Sequence, residues 1–328
     1  MKITNSSRLS ILLTILVVTV PVSQSEAKRQ SGGGGDSDVH KKAGLEAMDA
    51  RHFDQAADEF GKAIAAKPQD PALYHDRAVA YFSGAQAAQA ANDKDGATTR
   101  FASAIADFSK EVELSPKDEA GYLGRGQAEK LQGQFDPAIA DLTKALELKP
   151  DDVVALKFRG SAEIGLYQWD KAVADYTAAI QKDPNDWFSY DQRALAYRNL
   201  KNYDAAIADH TAAIEKNPTY QPEYARRGYT YSLMQQYEKA VPDYEQALKL
   251  DPNDIDTPQR LQYARGMLAR AAAMNAPPPS ATPTPPATGL DLLTPTNIAV
   301  AVIALIVILI VVRLLTRGKA EPTSSRIR

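Results

Sequence analysis

Two glutamates with a fixed relation to an arginine are the residues of this chain best suited to acid and base chemistry. Glu129 follows Arg125 by four positions, and Glu163 follows Arg159 in the same way. A pair of carboxyl groups can serve as general acid and general base, as in glycoside hydrolysis. Equivalent positions on neighbouring packed helical units are about 10 Å apart, too wide for a retaining mechanism and marginal for an inverting one. We therefore assign no catalytic residue and expect each glutamate to pair with its arginine.

Arginines and aspartates also recur together along the chain. Four arginines precede an aspartate at one constant interval, and a fifth precedes one at a longer interval. The planar guanidinium group can give a carboxylate two hydrogen bonds, an arrangement that suits partly buried positions. We expect a structural ladder of ion pairs, and the alternative is a row of arginines that binds anions. The pairs are Arg77 with Asp107, Arg125 with Asp141, Arg159 with Asp175, Arg193 with Asp209, and Arg227 with Asp243.

Composition argues against several other kinds of site. The chain has no cysteine, which excludes disulfides and thiolate metal sites. Its four histidines lack the short spacing of metal ligands, and neither a phosphate-binding loop nor a nucleophile elbow is present. The net charge is −3, so that no broad basic face suggests nucleic acid. We expect no metal, no cofactor and no nucleic-acid partner.

The charged residues lie in a segment that repeats with a period of about 34 residues. Each copy closes with a proline, and alanine recurs at two constant places before that proline with one exception. The equally spaced closing prolines are Pro116, Pro150, Pro184, Pro218 and Pro252. A fixed period of this length predicts a stack of similar units. Small residues at constant positions let two antiparallel helices approach closely, while large residues fill the gaps beside them.

The pattern of large and small residues within one copy resembles the tetratricopeptide repeat. With the closing proline numbered 32, the last copy has Tyr224 at position 4, Gly228 at 8, Tyr231 at 11, Ala240 at 20, Tyr244 at 24 and Ala247 at 27. The resemblance covers roughly residues 37 to 274 and six copies. It implies an all-α fold, a right-handed solenoid of about six helical hairpins, because one hairpin cannot bury its apolar face alone. The stretch Ile255 to Met274 suits a capping helix.

The second copy, over residues 71–116, departs from the period. Pro68 and Pro116 are farther apart than the other closing prolines, with an excess of about 14 residues, or four helical turns. The extra residues are rich in Ala and Gln, and the next turn signal is the run from Asn92 to Gly96. We expect both helices of this hairpin to be about two turns longer. A disordered loop is the alternative.

The resemblance also implies a binding surface. Positions 2, 5, 9 and 12 of each first helix line the concave groove in which this family binds peptides, and here the lining is mixed and partly apolar. The candidate residues are Leu123, Gln127, Lys130, Lys157, Ser161, Ile164, Phe188, Asp191, Leu195, Arg198 and Tyr229. The basic set with which some members hold acidic chaperone tails is absent. We expect a non-enzymatic scaffold that binds a protein or peptide partner.

The two ends of the chain predict a location. Residues 1–27 have basic residues before a short apolar run and a Ser-Glu-Ala end, which is typical of a cleaved signal peptide. A Gly-rich linker follows at 28–36, and a Pro-rich linker at 275–294 follows the array.

Beyond the Pro-rich linker, residues 295–315 predict a single transmembrane helix, and 316–328 a basic cytoplasmic tail. We expect a bacterial inner-membrane protein with its array in the periplasm. The alternative is a tail-anchored adaptor whose array faces the cytosol.

Overall fold

The computed structural model describes residues 35–275 and 295–316. Over these residues the chain forms fourteen helices and no strand. The predicted signal peptide, nearly all of both linkers and the basic tail lie outside the described residues. The chain divides into two compact units, Met1–Ala269 and Arg270–Arg328, which are described separately below.

The first unit is a succession of helical hairpins. Consecutive helices pack in pairs, and each second helix also packs against the first helix of the next hairpin. The first helices of successive hairpins touch one another from α3 to α9, so that they form one layer. The hairpins are α1 Asp36–Asp49 with α2 Phe53–Ala66, α3 Pro71–Ala90 with α4 Lys94–Leu114, α5 Glu119–Leu131 with α6 Phe135–Leu148, α7 Val153–Gly165 with α8 Trp169–Lys182, α9 Trp187–Asn199 with α10 Tyr203–Lys216, and α11 Gln221–Leu233 with α12 Tyr237–Leu250. This is an α-solenoid.

Local sequence sets where the helices begin and end. Asp118 and Asp152 cap α5 and α7 by accepting a hydrogen bond from the backbone N–H of Ala120 and Ala155, which supplies a partner to an otherwise free donor. Inside each hairpin the chain turns through a residue with a positive φ. Gly133 is the glycine among these residues, and the others are Arg51, Asn92, Tyr167, Lys201 and Gln235. Each of these non-glycine residues accepts some backbone strain to reverse the chain over a short turn.

Alanine at the constant positions forms the contact between helices. The repeated alanines have no exposed surface, and they are Ala56, Ala63, Ala104, Ala138, Ala145, Ala172, Ala179, Ala206, Ala213, Ala240 and Ala247. The aromatic positions beside them are equally buried, as at Phe60, Tyr176 and Tyr244. At Gly44, an added Cβ atom would lie 2.6 Å from the ring of Phe60, so that only glycine fits there. The two helices of each hairpin therefore pack as closely as their backbones allow.

The second hairpin carries its additional residues as helix rather than as a loop. The helices α3 and α4 have 20 and 21 residues, whereas those of the later hairpins have 13 or 14. The extension is fixed on both sides. Arg100 donates two hydrogen bonds to Asp54 of the first hairpin, at 3.1 and 2.9 Å, and Gln132 of the third donates one to the carbonyl of Thr98 at 2.9 Å.

The array ends in α13, Thr257–Asn275. Leu261 and Ala264 of this helix are buried in one cluster with Ala240 and Tyr244 of α12. The helix therefore covers the apolar face of the last hairpin, as a terminal unit of a solenoid must.

The second unit contains α14, Pro295–Thr316. No helix within the described part of the chain is both long and apolar enough to cross a membrane, so that the prediction of a transmembrane helix at 295–315 is not supported.

Candidate functional site

The five arginines and five aspartates that recur with the repeat pair within each hairpin. In every pair the guanidinium group of the first helix donates through Nε and Nη2 to both carboxylate oxygens of the second helix. The Nη2 to Oδ1 distances are 2.7 Å for Arg77, Arg159, Arg193 and Arg227, and 2.8 Å for Arg125. The side chains of the five arginines are 15 to 24% exposed. We call these contacts the arginine ladder.

A hydroxyl group that sequence reasoning missed joins four of the five ladder arginines to the preceding hairpin. The third guanidinium nitrogen, Nη1, donates to a Ser or Thr oxygen of that hairpin at 2.9 to 3.2 Å. These contacts are Arg125 with Ser109, Arg159 with Thr143, Arg193 with Thr177 and Arg227 with Thr211. The equivalent residue before Arg77 is Gly61, which has no hydroxyl. In these four arginines all three guanidinium nitrogens donate to protein oxygens, which favours a structural ladder over an anion-binding row.

The two glutamates Glu129 and Glu163 do not form the ion pairs expected with Arg125 and Arg159. Those arginines are committed to the ladder. Each glutamate is instead buried beside a ladder aspartate, Asp141 or Asp175, with its Oε2 atom unbonded. Burial, followed by the neighbouring aspartate, raises the pKa of both glutamates to about 7. Within the hairpin core, each of these carboxyl groups therefore keeps its proton up to a pH near 7.

A second buried charge cluster joins the fifth and sixth hairpins. His210 Nδ1 lies 2.9 Å from Glu223 Oε2, and Asp191 completes a group whose potential ligand atoms lie within 4.8 Å of one another. Arg226 contacts Asp191 at 2.7 Å and Glu223 at 2.9 Å. Burial raises the pKa of Asp191 to about 7 and lowers that of His210 to about 3, so that the imidazole is neutral.

Three side chains of a kind that binds metal ions lie together here, namely Asp191, His210 and Glu223. Their spacing in the sequence does not predict this contact. They come from three different helices, α9, α10 and α11. The guanidinium of Arg226 already supplies a positive charge to both carboxylates. A divalent cation would have to share them with Arg226, and the cluster therefore serves as a buried polar network between two hairpins.

The one exception to the alanine pattern is also a buried ion pair. Glu111 stands where the other copies have alanine, and it lies 3.0 Å from Nδ1 of His75. Although burial opposes it, the contact with Glu111 raises the pKa of His75. The pair links the two long helices of the second hairpin.

The predicted binding residues lie along α5, α7, α9 and α11, and we call their shared surface the first-helix face. Two of them, Gln127 and Asp191, are only 1% and 3% exposed and lie beneath it, where no partner can contact them. The other members of the set are half-buried, and Tyr229 is exposed. The face thus presents polar and apolar side chains that are fixed by packing.

Cations on this face lie over aromatic rings of the following helical unit. Lys130 lies 5.9 Å from the ring centre of Phe158, and Arg198 lies 5.4 Å from that of Tyr229. Arg260 of α13 lies 4.9 Å from Tyr229 as well. Lys157 differs, because besides lying over Phe188 it forms an ion pair with Asp186 at 2.8 Å. Cations stacked in this way hold the aromatic surface in place.

Comparison with protein families finds tetratricopeptide-repeat models over most of the array. Three such models match, at residues 222–254, at 175–208, and at 84–153 together with 123–186. No curated protein matches the chain.

Solved structures with repeated hairpins are similar to the chain. The Cut9–Hcn1 hetero-tetramer of the APC/C is 18% identical with a TM-score of 0.51, over 70% of this chain and 42% of that one. YrrB, a TPR protein with an unusual peptide-binding site, is 21% identical with a TM-score of 0.49, over 64% and 99%. The first TPR of Spaghetti (RPAP3), bound to the HSP90 peptide SRMEEVD, is 32% identical with a TM-score of 0.35, over 36% and 93%.

The arginine ladder makes a prediction about unfolding. Asp209→Ala leaves Arg193 half-buried without its carboxylate, and we expect a loss of about 3 kcal/mol in the free energy of unfolding. Adding Arg193→Leu to Asp209→Ala removes the stranded charge and should recover more than half of that loss. Urea unfolding followed by circular dichroism measures both. If the double variant is less stable than the single one by the full cost of Arg193→Leu alone, the two side chains are not coupled.

The buried glutamates predict a dependence of stability on pH. Their pKa is about 7 in the folded chain against about 4.5 for an ordinary glutamate, so that the folded state binds more protons between these values. Stability contributed by the protonated carboxyl is therefore present below pH 4.5 and is lost as the pH rises through 7. We expect Glu129→Gln with Glu163→Gln to be about as stable as the wild type at pH 5 and more stable by about 2 kcal/mol or more at pH 8.5.

The matched control for the pH prediction is Glu147→Gln, an exposed glutamate on α6. Its effect on unfolding should be the same at both pH values. A double variant that shows no gain at pH 8.5 would mean that the two glutamates are ionised in the folded chain at neutral pH.

Proposed function

Because the chain is a tetratricopeptide-repeat protein, we propose that it is a non-enzymatic scaffold whose first-helix face binds a protein or peptide partner. The observation that carries the proposal is the composition of that face. The half-buried residues Phe188, Leu195 and Ile164 lie on this face together with the exposed Tyr229. Cations lie over the rings of Phe188 and Tyr229. Aromatic and aliphatic anchors with nearby charges are what a peptide-binding surface needs.

The polar chemistry of the array supports a scaffold more than an enzyme. The ladder carboxylates are each held by an arginine, and the buried glutamates lie within the hairpin cores. The Asp191, His210 and Glu223 cluster is buried between two hairpins and engaged by Arg226. A catalytic group must reach a substrate, whereas these groups hold the hairpins in position.

We also propose a location for the array. The pattern of residues 1–27 supports export, and α14 supports contact with a lipid bilayer, because aliphatic side chains are exposed at successive positions from Leu305 to Val312. A helix that is apolar on all sides is stable in lipid or against protein, and not in water. The proposed scaffold works in the periplasm, next to the membrane. A cytosolic array is the competing possibility.

Site-specific photocrosslinking tests the binding proposal. A photoreactive amino acid at Leu195 or Ile164 is expected to capture a discrete protein partner in cells, because these side chains lie on the first-helix face. The same amino acid at Glu147, an exposed residue of the second helix α6, is the control and should capture none of it. Equal capture from Glu147 and Leu195, or no capture from the first-helix face, would argue against this surface as the binding site.

A fusion reporter tests the location. Alkaline phosphatase joined after residue 275 is active only outside the cytoplasm, and we expect an active fusion. A second fusion that lacks residues 1–27 should be inactive, because the segment that directs export is then gone. An inactive fusion with residues 1–27 present would place the array in the cytosol.

A further inference from the structure

Three cations of the first-helix face and its continuation on α13 have no acidic partner. Lys130, Arg198 and Arg260 have no carboxylate within ion-pair distance in the part of the chain that the structure describes. Most arginines of the array, by contrast, are matched to an aspartate or glutamate, as in the ladder. These three cations touch aromatic rings instead.

Two of these cations are also partly withdrawn from water. Burial lowers the pKa of Lys130, and burial together with the nearby Arg226 and Arg260 lowers the pKa of Arg198. A desolvated cation without a carboxylate is unfavourable, and an aromatic ring offsets only part of this cost. An anion placed here would therefore be bound more strongly than on an open surface.

The carboxylate that acts on Arg198, that of Asp191, is already engaged. Asp191 contacts Arg226 at 2.7 Å, and Arg226 also contacts Glu223 at 2.9 Å. Asp191 holds its proton up to a pKa of about 7 and so carries only part of a charge near neutrality. The positive charge of Arg198 and Arg260 is consequently compensated only in part by the cluster, and an anionic group of a partner would compensate the rest.

The positions of the cations set the spacing of that partner. Lys130 and Arg198 occupy the same position of the third and fifth hairpins, and Ile164 occupies it in the fourth. The first helices α5, α7 and α9 pack side by side, which places equivalent residues about 10 Å apart from one hairpin to the next. The order along the face is cation, aliphatic, cation over about 20 Å.

A polyproline II backbone matches this order and spacing with residues only three apart. A polyproline II helix has about three residues per turn and rises about 3.1 Å per residue, so that side chains three apart share a face about 9 Å apart. In a β-strand, the side chain of residue i+3 would lie on the face opposite to that of residue i. Residues i, i+3 and i+6 of a polyproline II peptide therefore meet Lys130, Ile164 and Arg198 in turn.

We propose that the partner is an acidic segment in polyproline II conformation, with carboxylates at positions i and i+6 and an apolar side chain midway between them. The first carboxylate binds Lys130 and the second binds Arg198, where Arg260 adds a further positive charge. The chain's own Pro-rich segment does not meet this description, because residues 276–294 contain a single carboxylate, Asp291. The inference rests on the proposed binding function of the first-helix face.

Synthetic peptides test the proposal on the full-length protein in detergent. The probe is a fluorescent Pro-rich peptide with Glu, Leu and Glu at positions i, i+3 and i+6, and its affinity is measured by fluorescence anisotropy at low salt. We expect the peptide with both Glu replaced by Gln to bind at least tenfold more weakly. Moving the second Glu by one position should weaken binding by a similar factor, because the carboxylate then faces away.

Protein variants locate the contacts. Lys130→Met and Arg198→Met keep the apolar stem of the side chain, and each is expected to weaken binding of the Glu peptide about fivefold or more without changing that of the Gln peptide. The control is Lys144→Met, which removes an exposed lysine of α6 that pairs with Glu147, and it should leave both affinities unchanged.

The outcomes separate this inference from the proposed function. If Glu and Gln peptides bind alike, if the spacing has no effect, or if no peptide binds, the acidic polyproline II ligand is wrong. Capture of a partner from Leu195 by photocrosslinking would still stand in each of these cases, and it decides the binding function independently.

Discussion

The contact on which the rest of the array depends is the three-way arginine contact. Each guanidinium joins the two helices of its own hairpin through an aspartate, and from the third hairpin onward it also reaches a hydroxyl of the hairpin before it. The contact is possible because the alanines and glycines of the core bring the helix axes close together. One side chain thus joins the two helices of a hairpin and also holds that hairpin to the one before it.

This arrangement separates two populations of charge. Acidic groups and their arginines lie between the helices, where they are half-buried and matched, and two glutamates avoid an unmatched charge by holding a proton. Three cations without an ion pair among the described residues, Lys130, Arg198 and Arg260, lie over aromatic rings on the first-helix face and its continuation on α13. The array therefore has charges that are matched within the structure and charges that the proposed partner would contact.

The sequence predicted the architecture well, because the regular period assigns each residue to a position. It predicted the Arg–Asp pairs, since both members recur at the same positions of successive copies. The Ser and Thr partners also recur, at 109, 143, 177 and 211, but a hydroxyl at one position carries no signal until the reach of the arginine is known. Glu129 forms no ion pair with Arg125 because Arg125 already donates to Asp141 through Nε and Nη2 and to Ser109 through Nη1.

Contacts between different copies were the hardest to predict. Asp191, His210 and Glu223 meet because three successive helices pack together, and each residue alone looks like an ordinary variation at its position. The burial of Gln127 and Asp191 depends in the same way on neighbouring side chains and not on the helical register. A period read from sequence describes one hairpin accurately and the surface between two hairpins only partly.

The claim that the arginine contact couples neighbouring hairpins can be measured directly by native-state hydrogen exchange. In the wild type, we expect the backbone amides of the fourth and fifth hairpins to share one high level of protection from exchange. The variant Thr177→Val removes the hydroxyl between these hairpins, and we expect it to lower protection in both of them together. Protection that falls only around residue 177, or that differs between the two hairpins already in the wild type, would show that the hairpins open independently and would contradict the account.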